Sequence, residues 1–367
     1  MHDDELRRRA DLHGVSPGYH DAYGQWRDSP VETLRAVLAA MGIDPADEPS
    51  AAPRALVVRP GAPVAVPDGV RGATVALEDG GEAALPDVLP GPLPPGYHAL
   101  VGPHGRTPLL VVPDRAHLPE RLAQGGRMWG VAVQLYAVHG ATSWGIGDLA
   151  DLARLPAALG EPDFLLLNPL HAPAPTAYQQ PSPYYAATRR FRNPLAIAIE
   201  AIPEATRLAP GERAQLDRLA ARGRALTGGE RIDRDAIWAL KRDALSLLHA
   251  TIGRDPSRRA ALDRFRARDP EIDRFATWCV LAETFPGDWR GWPDDLRDPA
   301  GAGVARRAAA DPGRVDLFAY MQLLLDEQLA AVPPLGLGVM TDLAVGAARD
   351  GYEAWAHQGV VVDGMKV

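Results

Sequence analysis

Apolar positions change their period along the chain, and each change points to a different architecture. In "SPVETLRAVLAAMG", Val31, Leu34, Val37, Leu38 and Met41 fall on one face at helical spacing. Ser29 reads as the N-cap, Pro30 as the first helical residue and Glu32 as the capping-box partner, with Gly42 as the stop. Residues 3–42 as a whole read as short helices within an amino-terminal segment 1–48. Over 51–115 the pattern becomes short β-rich runs, "ALVVRP", "ATVALED", "HALVG" and "PLLVVP", separated by Pro and Gly clusters. That spacing predicts a small β-sandwich.

A polar stretch, "PDRAHLPERLAQGGR", leads into a third region, 125–367. It opens with the apolar strand pattern "MWGVAVQLYAVHG", continues with a helix from Asp148 to about Leu159, and reaches a second apolar strand in "PDFLLLNPL". Strand, helix, strand with continuous apolar strands is the pattern of a parallel βα unit. A third such strand is "GLGVMTDLAVG". Between the second and third lie residues 203–333, where "RIDRDAIWALKRDALSLLHATIG", "EIDRFATWCVLAETF" and "DLFAYMQLLLDEQLAAV" repeat at helical spacing and predict a large helical insertion.

Composition narrows the function classes. The 367 residues have room for two or three domains, and 46% apolar with 23% charged residues is ordinary for a packed globular protein. A net charge of -8 argues against a phosphate backbone or an anionic membrane as the main partner, so neither nucleic acid nor membrane is expected. Cys279 is the only cysteine, which rules out an intrachain disulfide and a cysteine zinc cage. The charged start "MHDDELRRRADLHG" does not resemble a signal peptide, and no run approaches a membrane span. A cytoplasmic protein without cofactor or metal is expected.

Ligands of parallel βα folds sit at the carboxyl ends of the strands, so candidate chemistry is sought there. After the first strand, Asp148 reads as a helix N-cap, and Gly145 and Gly147 as the glycines of a tight turn. After the second, "QQPSPYY" stiffens Tyr184 between prolines beside Gln179, Gln180 and Ser182; a planar ring with neutral donors and acceptors suits a sugar. A polar surface loop with a core tyrosine explains the same spacing equally well. Asp342 ends the third strand, where a carboxylate needs a partner or a use, and Arg189, Arg190 and Arg192 are candidate partners. His171 either donates to a ligand or packs in the core.

Together, "SWGIGDLADL", "LNPLHA", "QQPSPYYAATRRFRNPL", "IEAIPE" and "GVMTDLAVG", with "YGQWRDSPVETLRAVLAAMG" near the start, resemble the amylomaltases, the 4-α-glucanotransferases of the α-amylase superfamily. The resemblance implies the amino-terminal part of a (β/α)₈ barrel, preceded by the helices and the β-sandwich. It implies an enzyme that cuts an α-1,4-glucan, holds one piece covalently and passes it to the 4-hydroxyl of another glucan, with net retention. Maltodextrin is the implied substrate. Tyr184 matches the family tyrosine that stacks on the sugar beside the cleavage point, Ser182 resembles a sugar-binding serine, and Asp342 matches the supporting aspartate at the third strand end.

None of these three is the family's nucleophile or acid/base. After Asp342 only Asp350, Glu353 and Asp363 remain, and they read as a turn residue, a short surface helix and a second turn. The nucleophile and acid/base are therefore expected beyond Val367, in a longer protein of which this chain is a part that is inactive alone. An open parallel sheet would also leave apolar side chains uncovered and favour aggregation. Two other readings stay open: a non-catalytic maltodextrin-binding protein, and a retaining α-glucan hydrolase.

Overall fold

The computed structural model describes residues 2–44, 46–47, 55–59, 62–102 and 105–361. The chain divides into two compact units, one within residues 1–126 and one over 127–361. Asp363, read above as a turn residue, lies outside the described residues.

The first unit begins with helices α1 (Asp3–Leu12) and α2 (Val31–Ala40). They pack Leu6, Ala10, Val31, Leu34 and Leu38 into a small core of their own. Between them the expectation of helix alone is corrected. Residues 18–28 form an antiparallel hairpin of β1 (Gly18–His20) and β2 (Trp26–Asp28), closed by a turn in which Asp21 accepts the backbone amides of Tyr23 and Gln25. The expected cap is corrected for a related reason. Ser29 is taken up by the hairpin: its amide donates to the Pro17 carbonyl and its hydroxyl to that of Ser16, so α2 starts at Val31 with no side-chain cap. Gly42 ends α2 as read, at φ 69°.

The rest of this unit is β-rich. Strands β3 (Leu56–Val58), β4 (Val64–Ala65), β5 (Thr74–Ala76), β6 (Glu82–Ala84), β7 (Val88–Leu89), β8 (Gly96–Gly102) and β9 (Gly105–Val111) form a five-stranded sheet in the order β3-β9-β8-β5-β6 and a separate β4-β7 pair. Only β3–β9 is parallel within the larger sheet. Val58, Val75, Leu89, Leu100, Leu109 and Val111 supply the core. The polar stretch that follows includes a four-residue helix, α3 (Glu120–Ala123).

In the second unit β10 (Gly130–Val133) leads through α4 (Leu149–Leu159) to β11 (Phe164–Leu167), as the sequence pattern predicts. A two-stranded antiparallel pair, β12 (His171–Ala172) and β13 (Thr188–Arg192), brackets the Tyr184 loop. Helices α5 (Pro210–Ala225), α6 (Arg234–His249), α7 (Pro256–Arg268), α8 (Glu271–Thr284), α9 (Asp294–Arg297), α10 (Ala302–Ala310) and α11 (Pro312–Ala330) follow before β14 (Gly338–Thr341) and α12 (Tyr352–Ala356). Every residue of α11 from Val315 to Leu325 is buried, so this helix is core on all sides.

Strands β10, β11 and β14 form a parallel sheet in that order. Their alternation sorts the faces. Val131, Leu165 and Val339 are in register and turn inward, whereas Ala132, Leu166 and Met340 form the next row and are exposed. Because parallel sheets bury both faces, that exposed apolar row is the unusual feature of this unit.

Candidate functional site

The carboxyl ends of the three parallel strands converge on one region. The Asn168 side chain, just past β11, accepts the Leu135 amide at 2.8 Å and donates to the Pro169 carbonyl at 2.9 Å, which ties the exit of β10 to that of β11. The Asp342 amide donates to the Leu167 carbonyl at 2.9 Å, so the exit of β14 joins the same group. The turn after β10 is fixed by its glycines. Gly145 has φ 73°, and a Cβ on Gly147 would overlap the carbonyl oxygens of Leu135 and Val138.

Asp148 caps α4 as the sequence reading holds. It accepts the amides of Ala150 and Asp151, and Asp151 reciprocates to its amide in a capping box. Burial raises the Asp148 carboxyl above its ordinary value, while the Lys241 ammonium acts in the opposite direction. Lys241 is itself fully buried, donates to the carbonyls of Leu195 and Ile197 at 2.6 and 2.8 Å, and is lowered by desolvation to about 8.

Tyr184 is 54% exposed and stands in the loop between β12 and β13, so the core-tyrosine alternative is excluded for it. Its hydroxyl donates to Asp342 at 2.7 Å, and that bond is the main reason its phenol titrates above the ordinary tyrosine value. The expected arginine partners of Asp342 are corrected here. Arg189 pairs with Glu353, Arg190 with Asp269 and Arg192 with Asp326. The short helix carrying Glu353 is likewise more than a surface element, because Tyr352 and Trp355 beside it are fully buried. Asp350 does end in a turn, at Gly351.

Ser182 is exposed at the rim of a small cleft whose lining includes Tyr136, Asn168, His171, Gln180, Asn193 and Arg234. Gln179 does not face this cleft as a free amide. It is buried and spends its side-chain N–H groups on the carbonyls of Ala174 and Thr176. His171 accepts the Ala344 amide at Nε2, which requires the neutral ring, and desolvation lowers its pKa in agreement. Its other nitrogen therefore carries a proton. Tyr136 and Arg234 were not singled out from the sequence: the guanidinium lies 5.2 Å from the ring centroid, between residues 98 positions apart with no local signal linking them. Among the described residues no group of three His, Cys, Asp or Glu side chains is arranged to hold a metal ion.

The comparisons with known proteins converge with this geometry. Residues 133–366 match the family model described as 4-alpha-glucanotransferase. The chain belongs to that family. A 4-alpha-glucanotransferase of Mycobacterium tuberculosis is 43% identical over 305 residues, covering 78% of this chain and 41% of that protein. One from Haemophilus influenzae is 30% identical over 293 residues, covering 72% and 42%. The crystal structure of amylomaltase from Corynebacterium glutamicum superposes with a TM-score of 0.75 at 26% identity, covering 97% of this chain and 57% of that one. The chain thus spans about two fifths of the length of the curated family members it matches.

Proposed function

We propose that this chain carries the glucan-facing strands of an amylomaltase-type 4-alpha-glucanotransferase, with maltodextrin as substrate. In this reading β10, β11 and β14 are three strands of a (β/α)₈ barrel and residues 203–333 are an insertion in it. Residues 1–48 and 51–115 are then a helical segment and a β-sandwich domain ahead of the barrel region 125–367. The observation that carries the reading is the Tyr184 ring, exposed at the strand ends and pinned through its hydroxyl to Asp342.

A phenol ring held by its own hydroxyl loses little rotational freedom when a sugar stacks on it, so more of the contact energy reaches binding. Ser182 stands two residues away in the same loop, exposed, as a neutral partner for sugar hydroxyls. The family reaction is a retaining double displacement. It needs a carboxylate nucleophile and a carboxylic acid about 5 Å apart across the scissile bond. Asp342 is bonded to a tyrosine and not to a second carboxyl group, Asp148 and Asp151 are engaged in the cap of α4, and Glu353 is held by Arg189. In this reading the described residues bind and orient a glucan, and none of these four carboxylates serves as the nucleophile or the acid.

Titration calorimetry with maltoheptaose tests the binding half of this reading. Tyr184→Ala is expected to remove one binding event or weaken it at least about tenfold, the loss of a stacking contact worth roughly 1.4 kcal/mol. A Tyr184→Ala isotherm that superimposes on the unmodified one overturns it.

A further inference from the structure

The hairpin of residues 18–28 is built the wrong way round for a structural element. Of its six strand residues only Gly18 is buried, and Tyr19, Tyr23 and Trp26 are 59%, 88% and 51% exposed. A two-stranded hairpin is marginal in water without an apolar face to bury. This one is held by polar bonds instead. Asp21 accepts the amides of Tyr23 and Gln25 and pairs with Arg27 at 2.9 Å, Arg27 also reaches Gln25, and Arg7 of α1 grips the carbonyl of Ser29 at 2.7 Å.

At the centre of this frame Trp26 is fixed from three sides. Its indole N–H donates to Asp28 at 2.8 Å, the His20 ring meets it edge-on at 5.1 Å, and its six-membered ring lies across Gly18, where a Cβ would overlap it. The residue is 51% exposed even so. An aromatic ring that is locked and left exposed offers a flat face at little entropic cost. The groups around it are polar and short: Asp28, whose second oxygen has no protein partner among the described residues, and Gln25.

We propose that the Trp26 face of this hairpin is a carbohydrate-docking site that takes an α-1,4-glucan by stacking on the C–H face of a glucose unit, with Asp28 accepting a hydroxyl. The choice of glucan rests on the function proposed above; the site itself does not. A nucleic acid does not fit, because the one arginine of the hairpin is committed to Asp21 and Gln25 and the remaining charges are acidic. A protein partner would seek a continuous apolar patch, whereas here Asp21, Gln25 and Asp28 break up the aromatic surface.

The test is calorimetry of the full chain with maltoheptaose in five forms: unmodified, Tyr184→Ala, Trp26→Leu, Trp26→Phe and the Tyr184→Ala/Trp26→Leu double variant. Trp26→Leu keeps an apolar cover over Gly18 but loses the ring, and Trp26→Phe keeps a ring. The expected result is a binding event that survives Tyr184→Ala, stays within about threefold in Trp26→Phe and is lost in Trp26→Leu and in the double variant. Equal binding by Tyr184→Ala and the double variant overturns the proposal, as does the absence of any event in Tyr184→Ala. A change in oligomeric state in Trp26→Leu, read by size-exclusion chromatography, without change in glucan binding assigns the face to a second copy and also overturns it. Failure of the Tyr184 event with the Trp26 event intact contradicts only the strand-end reading.

Discussion

A 2.7 Å hydrogen bond between Tyr184 and Asp342 joins residues 158 positions apart and gives the strand-end region a pinned aromatic ring. If the bond exists to orient the ring, Tyr184→Phe should keep stacking but lose the pin, weakening maltoheptaose binding about two- to fivefold, against tenfold or more for Tyr184→Ala. Ultraviolet titration gives an independent check. The Tyr184 phenol should ionise above the ordinary tyrosine range, and Asp342→Asn should bring it back down, since the carboxylate is the first cause of the shift. The position of Asp342 was legible because a strand end can be read from an apolar run, whereas Tyr184 was singled out in a loop whose spacing fits a surface role equally well. Which arginine meets which carboxylate was not, because ion pairing between side chains such as Arg190 and Asp269 is settled by tertiary placement alone. Backbone geometry is more readable: Gly147→Ala drives a methyl into two carbonyl oxygens and should destabilise the second unit by about 3 kcal/mol in urea unfolding.

Among the elements, β10, β11, β14 and the long helices announce themselves by period, whereas the 18–28 hairpin does not. It buries almost nothing, so no alternation marks it, and the Asp21–Gly24 turn is the local feature that could have marked it. The short pair β12–β13 escaped for a different reason: β12 has two residues, and the buried Thr188 and Phe191 of β13 lie three positions apart, which is not the period of a strand. On α6, Lys241 illustrates a cost hidden within a helical pattern. Its folded-state pKa, about 8, lies below the ordinary lysine value of 10.5, so between those values the unfolded chain holds a proton that the folded chain has released. Stability should therefore rise as pH climbs from 8 to 10.5 and fall back as pH drops through 8. Lys241→Met should flatten that dependence in urea melts at pH 7.5, 9 and 10.5. In the sheet, Met340 is already 47% exposed, so Met340→Glu should change stability by no more than about 0.5 kcal/mol while lowering aggregation measured by light scattering.

For the whole molecule, family membership and the two compact units frame what can be expected of 367 residues that span about two fifths of their curated relatives. The parallel strands place Tyr184 and Asp342 together at their ends, and the carboxylates nearby are occupied in caps and ion pairs. Binding without turnover is the central proposal. It rests on the expectation that the motifs carrying the family resemblance hold neither the nucleophile nor the acid/base. Incubation of the chain with maltotriose, followed by chromatography of the products, tests the claim most directly. Maltotriose recovered unchanged is the predicted result; glucose together with longer maltodextrins would contradict it, and glucose with maltose alone would contradict it as hydrolysis.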